Sequence, residues 1–278
     1  MVLVHGIAQQ YKGPESLRAT CAPALCDGVR LAGGALAPED VSVAFYGDAF
    51  RPTGARSASL PDYDASDIVS LFEQELLRAW WQEAAAIDPN VPDPVKTTRT
   101  RTPNWVQRAV YALSGSRFFA GLAERAMIGA LKQVSTYFID PDARRNVQQR
   151  VLDAITPETT VVVAHSLGSV VAYEALCATR GTPVTTLVTL GSPLGLPNLV
   201  FDRLVPTPID GRGAWPGAVR SWTNVADRGD VVANPKQLAP HFEHGVTDVP
   251  VHNGAKAHDM LPYLTTRETG KAVRHGLD

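Results

Sequence analysis

The chain has 278 residues, with 26 Lys and Arg against 28 Asp and Glu, so its formal net charge is −2. This balance disfavours a nucleic-acid binder that relies on bulk positive charge. Hydrophobic residues make up 45% of the chain and charged residues 19%, a mixture that can bury a sizeable core and that excludes wholesale disorder.

Membrane insertion and export are also disfavoured. The longest apolar runs, such as residues 161–164, are far shorter than the roughly 20 residues of a membrane-spanning helix. The first residues lack the basic and apolar regions of a signal peptide. Three cysteines, Cys21, Cys26 and Cys177, predict reduced thiols, although Cys21 and Cys26 could pair in an exported protein. We therefore expect no transmembrane segment and a cytoplasmic location.

Six short apolar or β-branched runs, each bounded by turn residues, predict six strands. Most are apolar throughout, which is typical of strands buried on both faces, and helical stretches lie between several of them. The sequence predicts the α/β class, with a mostly parallel sheet of about six strands flanked by helices. The predicted strands are residues 2–4, 41–46, 160–164, 185–190, 219–225 and 246–251.

The segment between the second and third predicted strands, residues 51–158, is longer than a strand crossover requires. Apolar residues at helical spacing from 68 to 80 predict an amphipathic helix capped by Ser66 or Asp67. We expect a single domain over residues 1–278, in which the helices of this insertion either form a cap or are the crossover helix and its neighbours. A polar connection is expected over residues 88–102, and further helices over 103–138 and 141–155.

The most informative motif is Ala-His-Ser-Leu-Gly at 164–168, between a predicted strand and a helical run. A nucleophile on such a tight turn needs small residues two positions to either side, and Ala164 and Gly168 meet that need. The N-terminus of the helix would bring the Leu167 amide to negative charge that develops on a carbonyl oxygen. Ser166 is therefore the candidate nucleophile, and the Leu167 N–H is a candidate oxyanion donor.

The motif at 163–169, together with Val-His-Gly-Ile at 4–7, resembles the α/β-hydrolase fold. More narrowly, it resembles the lipase-like branch that includes small bacterial lipases and GPI inositol-deacylase-like proteins. Ala164 stands where most members carry Gly, as in a subset of bacterial lipases. The resemblance implies that the Ile7 N–H, which follows the His-Gly pair, is the second oxyanion donor.

The resemblance further implies a chain order of Ser, then Asp or Glu, then His. Asp230 lies where the acid is expected, and Asp227, nearer the strand end, competes with it. His258, on a long loop after the sixth predicted strand, is the candidate base, and His252 is the alternative. A serine needs such a base because its hydroxyl is almost wholly protonated at neutral pH.

Metal and cofactor sites are not predicted. His241, His244, Asp248 and His252 form a dense cluster, but their spacing does not match a zincin pattern. The glycine-rich stretches lack the strand-turn-helix context of a phosphate-binding loop.

These residues predict a serine hydrolase that cleaves a carboxylic ester, small-molecule or lipid-like, through Ser166, His258 and Asp230 and an acyl-enzyme. The same three residues could instead serve an acyltransferase, a thioesterase or a lactonase. A non-catalytic binding module on a hydrolase scaffold is the alternative from another class. No prediction is made of the oligomeric state.

Overall fold

One open sheet of six strands lies at the centre of the computed structural model, which describes residues 1–51, 61–94, 105–116 and 124–277. The strands are β1 (Val2–Val4), β2 (Ser42–Ala44), β3 (Val161–His165), β4 (Thr186–Leu190), β5 (Ser221–Asp227) and β6 (Thr247–Val251). Their order across the sheet is β2-β1-β3-β4-β5-β6, and all five pairings are parallel. The predicted α/β class and mostly parallel sheet are confirmed.

Eight α-helices lie in the described ranges. They are α1 (Pro14–Leu31), α2 (Leu71–Ile87), α3 (Trp105–Ser114), α4 (Glu124–Ile139), α5 (Pro141–Asp153), α6 (Leu167–Ala178), α7 (Met260–Leu264) and α8 (Arg267–Leu277). None of these described helices combines the length and the apolar character that a membrane crossing requires. The helices expected over residues 103–138 include α3 and α4. Residues 117–123, and residues 95–102 of the expected polar connection, lie outside the described residues.

Helix α2 begins later than the sequence predicts. Ser70 Oγ accepts the N–H of Glu73 at 3.1 Å, and the Glu73 carboxylate accepts the N–H of Ser70 at 3.4 Å. Ser66 and Asp67 lie in a preceding 3₁₀ turn, which is capped by Asp64. The predicted cap at Ser66 or Asp67 was therefore wrong, because only Ser70 has a glutamate three residues further on that completes a capping box.

Helices cover both faces of the sheet, and the alternation of side chains along each strand divides the core in two. Val161 and Val163 of β3 pack with residues of α1 and α8. Val162 and Ala164 belong to a larger cluster that includes residues of α2, α3, α4, α5 and α6. This two-sided burial explains why β3 is apolar throughout.

The edge strand β6 differs from the other five strands because none of its side chains is buried. It pairs with β5 alone, and Pro250 lies within it opposite Ala226. Edge strands are where a parallel sheet tolerates proline, since the missing N–H can face away from the neighbour.

Candidate active site

The carboxyl ends of the parallel strands lie at one edge of the sheet, and the predicted site residues follow four of these ends. Ile7 follows β1, Ser166 follows β3, Asp230 follows β5 and His258 follows β6. Ligands of open parallel sheets bind at this edge.

Ser166 occupies the turn between β3 and α6 with φ 53° and ψ −130°. Residues other than glycine rarely adopt such a positive φ, so the turn is strained. The Ser166 N–H donates to the Leu190 carbonyl at 3.0 Å. The Ser166 carbonyl accepts from the Ser169 N–H at 2.9 Å and from the Ser169 hydroxyl at 2.6 Å. These bonds hold the turn in its strained conformation.

Close backbone approaches explain the glycines around Ser166. A Cβ on Gly168 would collide with the His5 carbonyl oxygen, and a Cβ on Gly6 would lie 2.8 Å from the Ser166 Cβ. The loop after β1 therefore packs directly against the turn that carries Ser166.

Two hydrogen bonds join Ser166, His258 and Asp230. Ser166 Oγ lies 2.9 Å from His258 Nε2, and His258 Nδ1 lies 2.8 Å from Asp230 Oδ2. An ionised carboxylate only accepts, so Nδ1 carries the proton and Nε2 is free to accept the serine proton. The structure thus brings together the three side chains predicted as nucleophile, base and acid, although they are far apart in the sequence.

Asp230 is fully buried, and both of its carboxylate oxygens accept hydrogen bonds. Oδ1 accepts from the N–H groups of Val232 at 2.9 Å and Ala233 at 3.2 Å, and Oδ2 accepts from Tyr263 Oη at 2.9 Å as well as from His258. Burial raises the pKa of Asp230, but His258 and the hydrogen bonds from His258, Tyr263 and Ala233 outweigh it, so this pKa lies below its usual value. Asp230 is therefore a carboxylate at neutral pH.

The side chains of the competing residues Asp227 and His252 lie apart from this chain of hydrogen bonds. The buried Asp227 carboxylate accepts the N–H groups of Gly229, at 2.6 Å, and Asn253. His252 is 86% exposed, with Nδ1 3.8 Å from Asp227 Oδ2. Neither side chain is hydrogen-bonded to Ser166 within the described residues.

Of the two predicted oxyanion donors, Leu167 follows Ser166 in the chain, and Ile7 lies on the loop that packs against Ser166. Ser166 is the N-cap residue of α6, so Leu167 is the first helical residue and its N–H has no acceptor inside the helix. Ile7 follows Gly6, which packs on Ser166, and lines the cavity beside His258.

A cavity of about 480 Å³ opens beside His258. Its wall is largely apolar, and it includes Trp80 from α2, Ala130 from α4, and Met260 and Leu261 from α7. Helix α5 instead packs against α6 and contacts β2. The described part of the long insertion is therefore partly a wall of this cavity and partly the crossover helix of the sheet.

The sequence did not indicate several side chains that contact Asp230 or His258. Tyr263 donates to Asp230, His165 Nε2 donates to the His258 carbonyl at 3.0 Å, and Lys236 Nζ donates to the Asp230 carbonyl at 2.6 Å. Burial lowers the pKa of His165 to about 3, so its ring is neutral near pH 7. Lys236 also pairs with Glu83 of α2 at 2.7 Å.

The histidine-rich cluster has other roles in the structure. The Asp248 carboxylate accepts the N–H groups of Leu238 at 2.8 Å and Ala239 at 2.9 Å. The His241 ring packs on Phe201. Within the described ranges, no three His, Cys, Asp or Glu side chains are grouped as a metal ion would require. The cysteines Cys21, Cys26 and Cys177 are free thiols.

Neither the models of known protein families nor the curated proteins give a match to this sequence, so the functional interpretation depends on the geometry described above.

Proposed function

We propose that this chain is a serine hydrolase of the lipase-like branch of the α/β-hydrolase fold, and that it cleaves a carboxylic ester. The observation that carries the proposal is the continuous hydrogen-bonded path from Ser166 Oγ through the His258 ring to Asp230 Oδ2. A strained turn at the carboxyl edge of a parallel sheet presents the serine, as nucleophile turns of this kind do.

In the proposed reaction, Ser166 Oγ attacks the ester carbonyl carbon while His258 Nε2 takes the hydroxyl proton. Asp230 keeps the Nδ1–H of His258 oriented and stabilises the imidazolium. The N–H groups of Leu167 and Ile7 would stabilise the oxyanion. When the tetrahedral intermediate collapses, His258 returns the proton to the departing alcohol and leaves an acyl-enzyme. Water, deprotonated by His258, then releases the acid and regenerates Ser166.

The cavity supports a substrate with an apolar part. Its volume, about 480 Å³, falls within the range of small-molecule sites. Trp80, Val232 and Met260 offer apolar surface next to His258. A small-molecule or lipid-like ester matches this wall, and the helices α2 and α4 would act as its cap.

Labelling with a fluorophosphonate probe tests the nucleophile directly. The wild type should react, and Ser166→Ala should not. Ser166→Ala should also lower ester turnover by at least about a thousandfold, because triad members act as a unit. Ser42→Ala, at an exposed serine on the distant strand β2, is the matched control and should label like the wild type. A folded wild type that does not label would favour the binding module, and assays on esters, thioesters and lactones in parallel would separate the enzymatic alternatives.

The assignment of the base is tested by two histidine variants. His258→Ala should reduce kcat about as much as Ser166→Ala does, whereas His252→Ala should have little effect because its side chain is 86% exposed and faces Asp227. Circular dichroism checks that both variants are folded. The assignment is wrong if His252→Ala proves the more damaging of the two.

A further inference from the structure

We infer that Tyr263 is a positioning residue of the proposed triad, whose hydroxyl orients the Asp230 carboxylate and takes up part of its charge. This inference depends on the proposed function, which gives Asp230 its role as the acid.

Tyr263 and His258 both donate a hydrogen bond to the same carboxylate oxygen of Asp230. Tyr263 Oη lies 2.9 Å from Asp230 Oδ2, and His258 Nδ1 lies 2.8 Å from the same atom. The other oxygen, Oδ1, is taken by the N–H groups of Val232 and Ala233. Removal of the tyrosine hydroxyl would therefore leave His258 as the only donor to Oδ2 within the described residues.

The direction of the tyrosine proton follows from its second contact. Tyr263 Oη accepts the N–H of Asp227 at 2.8 Å, so its own proton is available for Asp230. Burial, together with the charge of Asp230, raises the pKa of Tyr263, and the phenol stays protonated at neutral pH. Tyr263 thus donates to the carboxylate throughout the working range of a hydrolase.

Tyr263 does not take part in substrate binding directly. It is fully buried and is not among the residues that line the cavity beside His258. Its effect would pass through Asp230 to His258, because a hydroxyl that shares the carboxylate charge weakens the attraction between that charge and the imidazolium. Its loss would also remove one of the two donors that hold Oδ2 in place. Asp230 and the His258 ring would then be less well oriented, and this loss of positioning should lower kcat and leave KM nearly unchanged.

The other titratable groups around this pair come from β3, β5, α1 and α2 and from the adjoining loops. His165, from the end of β3, contacts the His258 carbonyl and has a ring 6.0 Å from the Tyr263 ring. Asp227, at the end of β5, bonds Tyr263 through its N–H. Lys236 donates to the Asp230 carbonyl, and Glu83 of α2 pairs with Lys236. Cys21 of α1 lies in the cavity wall with Asp230 and His258, and Lys12 and Asp259 line the same cavity.

Replacing the tyrosine by phenylalanine tests the hydroxyl alone. Tyr263→Phe should lower kcat by about tenfold to a hundredfold, the range for losing a hydrogen bond to a charged group. The acidic limb of kcat/KM should move to higher pH by about half a unit to one unit, because the carboxylate then holds the imidazolium more strongly. Tyr173→Phe is the matched control, since Tyr173 is also buried and donates to a carbonyl, that of Ala214, at 2.8 Å. The control should leave the pH profile unchanged.

A second substitution keeps the test decisive if Tyr263→Phe does not fold. Incorporation of 3-fluorotyrosine at 263 alone keeps the hydroxyl and makes it a stronger donor. Fluorine is only slightly larger than hydrogen, so the substitution changes the donor strength of the hydroxyl more than the packing of the ring. The acidic limb should then move to lower pH, opposite to the shift in Tyr263→Phe.

The outcomes separate this inference from the proposed function. Opposite shifts with phenylalanine and fluorotyrosine support a positioning role. An unchanged profile in fluorotyrosine protein, or shifts in the same direction in both variants, would overturn it, while labelling of Ser166 in the wild type would still uphold the hydrolase. A wild type that neither labels nor turns over esters would instead remove the proposed function itself.

Discussion

Ser166 holds a backbone conformation that costs free energy and that gives its hydroxyl a fixed position. A non-glycine residue at such a φ costs of the order of 1–3 kcal/mol. The N–H of Ser166 bonds Leu190, and its carbonyl bonds Ser169 twice. The surrounding structure therefore maintains the strain, as expected where a nucleophile must be presented.

The strained backbone at position 166 predicts that glycine is more stable there than alanine. Ser166→Gly and Ser166→Ala both lose the hydroxyl bonded to His258, but only glycine adopts a positive φ without a steric penalty. The free energy of unfolding, measured with urea, should therefore be about 1 kcal/mol higher for the glycine variant than for the alanine variant. Equal stability, or a more stable alanine variant, would contradict the assigned strain.

At the residue scale, the sequence identifies some residues of the candidate site and misses others. Ser166, Asp230 and His258 follow predicted strands in an order typical of a family, so the sequence singles them out, and the structure joins them by hydrogen bonds. Their catalytic roles stay a prediction. Tyr263 and Lys236 could not be predicted as partners of Asp230, because their positions in the sequence give no sign that either side chain bonds this residue.

At the scale of elements, helix α2 connects the cavity with the loop that carries Asp230. Trp80 lines the cavity, and Glu83, one turn further along α2, accepts from Lys236 Nζ at 2.7 Å and from Asn234 Nδ2 at 3.1 Å. A change in the position of α2 would therefore alter the cavity wall and the contacts of the Asp230 loop together.

Shortening the side chain at 80 should widen the cavity. For Trp80→Leu, we expect kcat/KM for long-chain p-nitrophenyl esters to rise by about tenfold relative to the acetate, within the range that pocket size usually provides. The matched control is Trp81→Leu, since Trp81 is buried on the same helix but does not line the cavity. Both variants should lose about 2 kcal/mol of stability. An identical change in chain-length preference in the control would contradict a role for Trp80 in specificity.

The sequence predicts the sheet better than the helices of the long insertion. Apolar runs such as β3 mark strands that are buried on both faces, and their bounds agree with the structure within two residues. The start of α2 was missed because Ser66, Asp67 and Ser70 are all acceptable caps by residue type. The reciprocal bonds of Ser70 and Glu73 decide between them. Some helices of the insertion line the cavity, and one is the crossover helix of the sheet. Which helix takes which role depends on packing against α6, and hydrophobic periodicity does not encode this packing.

At the scale of the whole molecule, two buried neutral histidines make stability depend on pH. His5 Nε2 accepts the N–H of Tyr46 at 3.1 Å, and its Nδ1 donates to the Gly6 carbonyl at 2.6 Å. Burial lowers the pKa of His5 to about 4 and that of His165 to about 3. Both values lie below the usual histidine pKa, so the unfolded chain binds more protons than the folded protein in mildly acidic solution.

Stability should therefore fall as the pH drops below about 6.5, and continue to fall until the folded pKa values are reached. Between pH 7 and pH 5 the loss should be about 2 kcal/mol for each of the two histidines. Urea unfolding at the two pH values measures it. His165→Gln should remove about half of this loss, whereas His252→Gln, at an exposed side chain, should change nothing. If the wild type, His165→Gln and His252→Gln all lose the same stability between pH 7 and pH 5, His165 is not a source of the pH dependence.

Pro250 has a consequence for how the protein behaves when it is concentrated. A strand from another molecule that approached the outer side of β6 would meet a position without an N–H donor, and its ladder would be interrupted there. Proline at an edge thus opposes aggregation by strand addition. The protected strand ends seven residues before His258, so a strand added at this edge would lie next to the loop that carries this histidine.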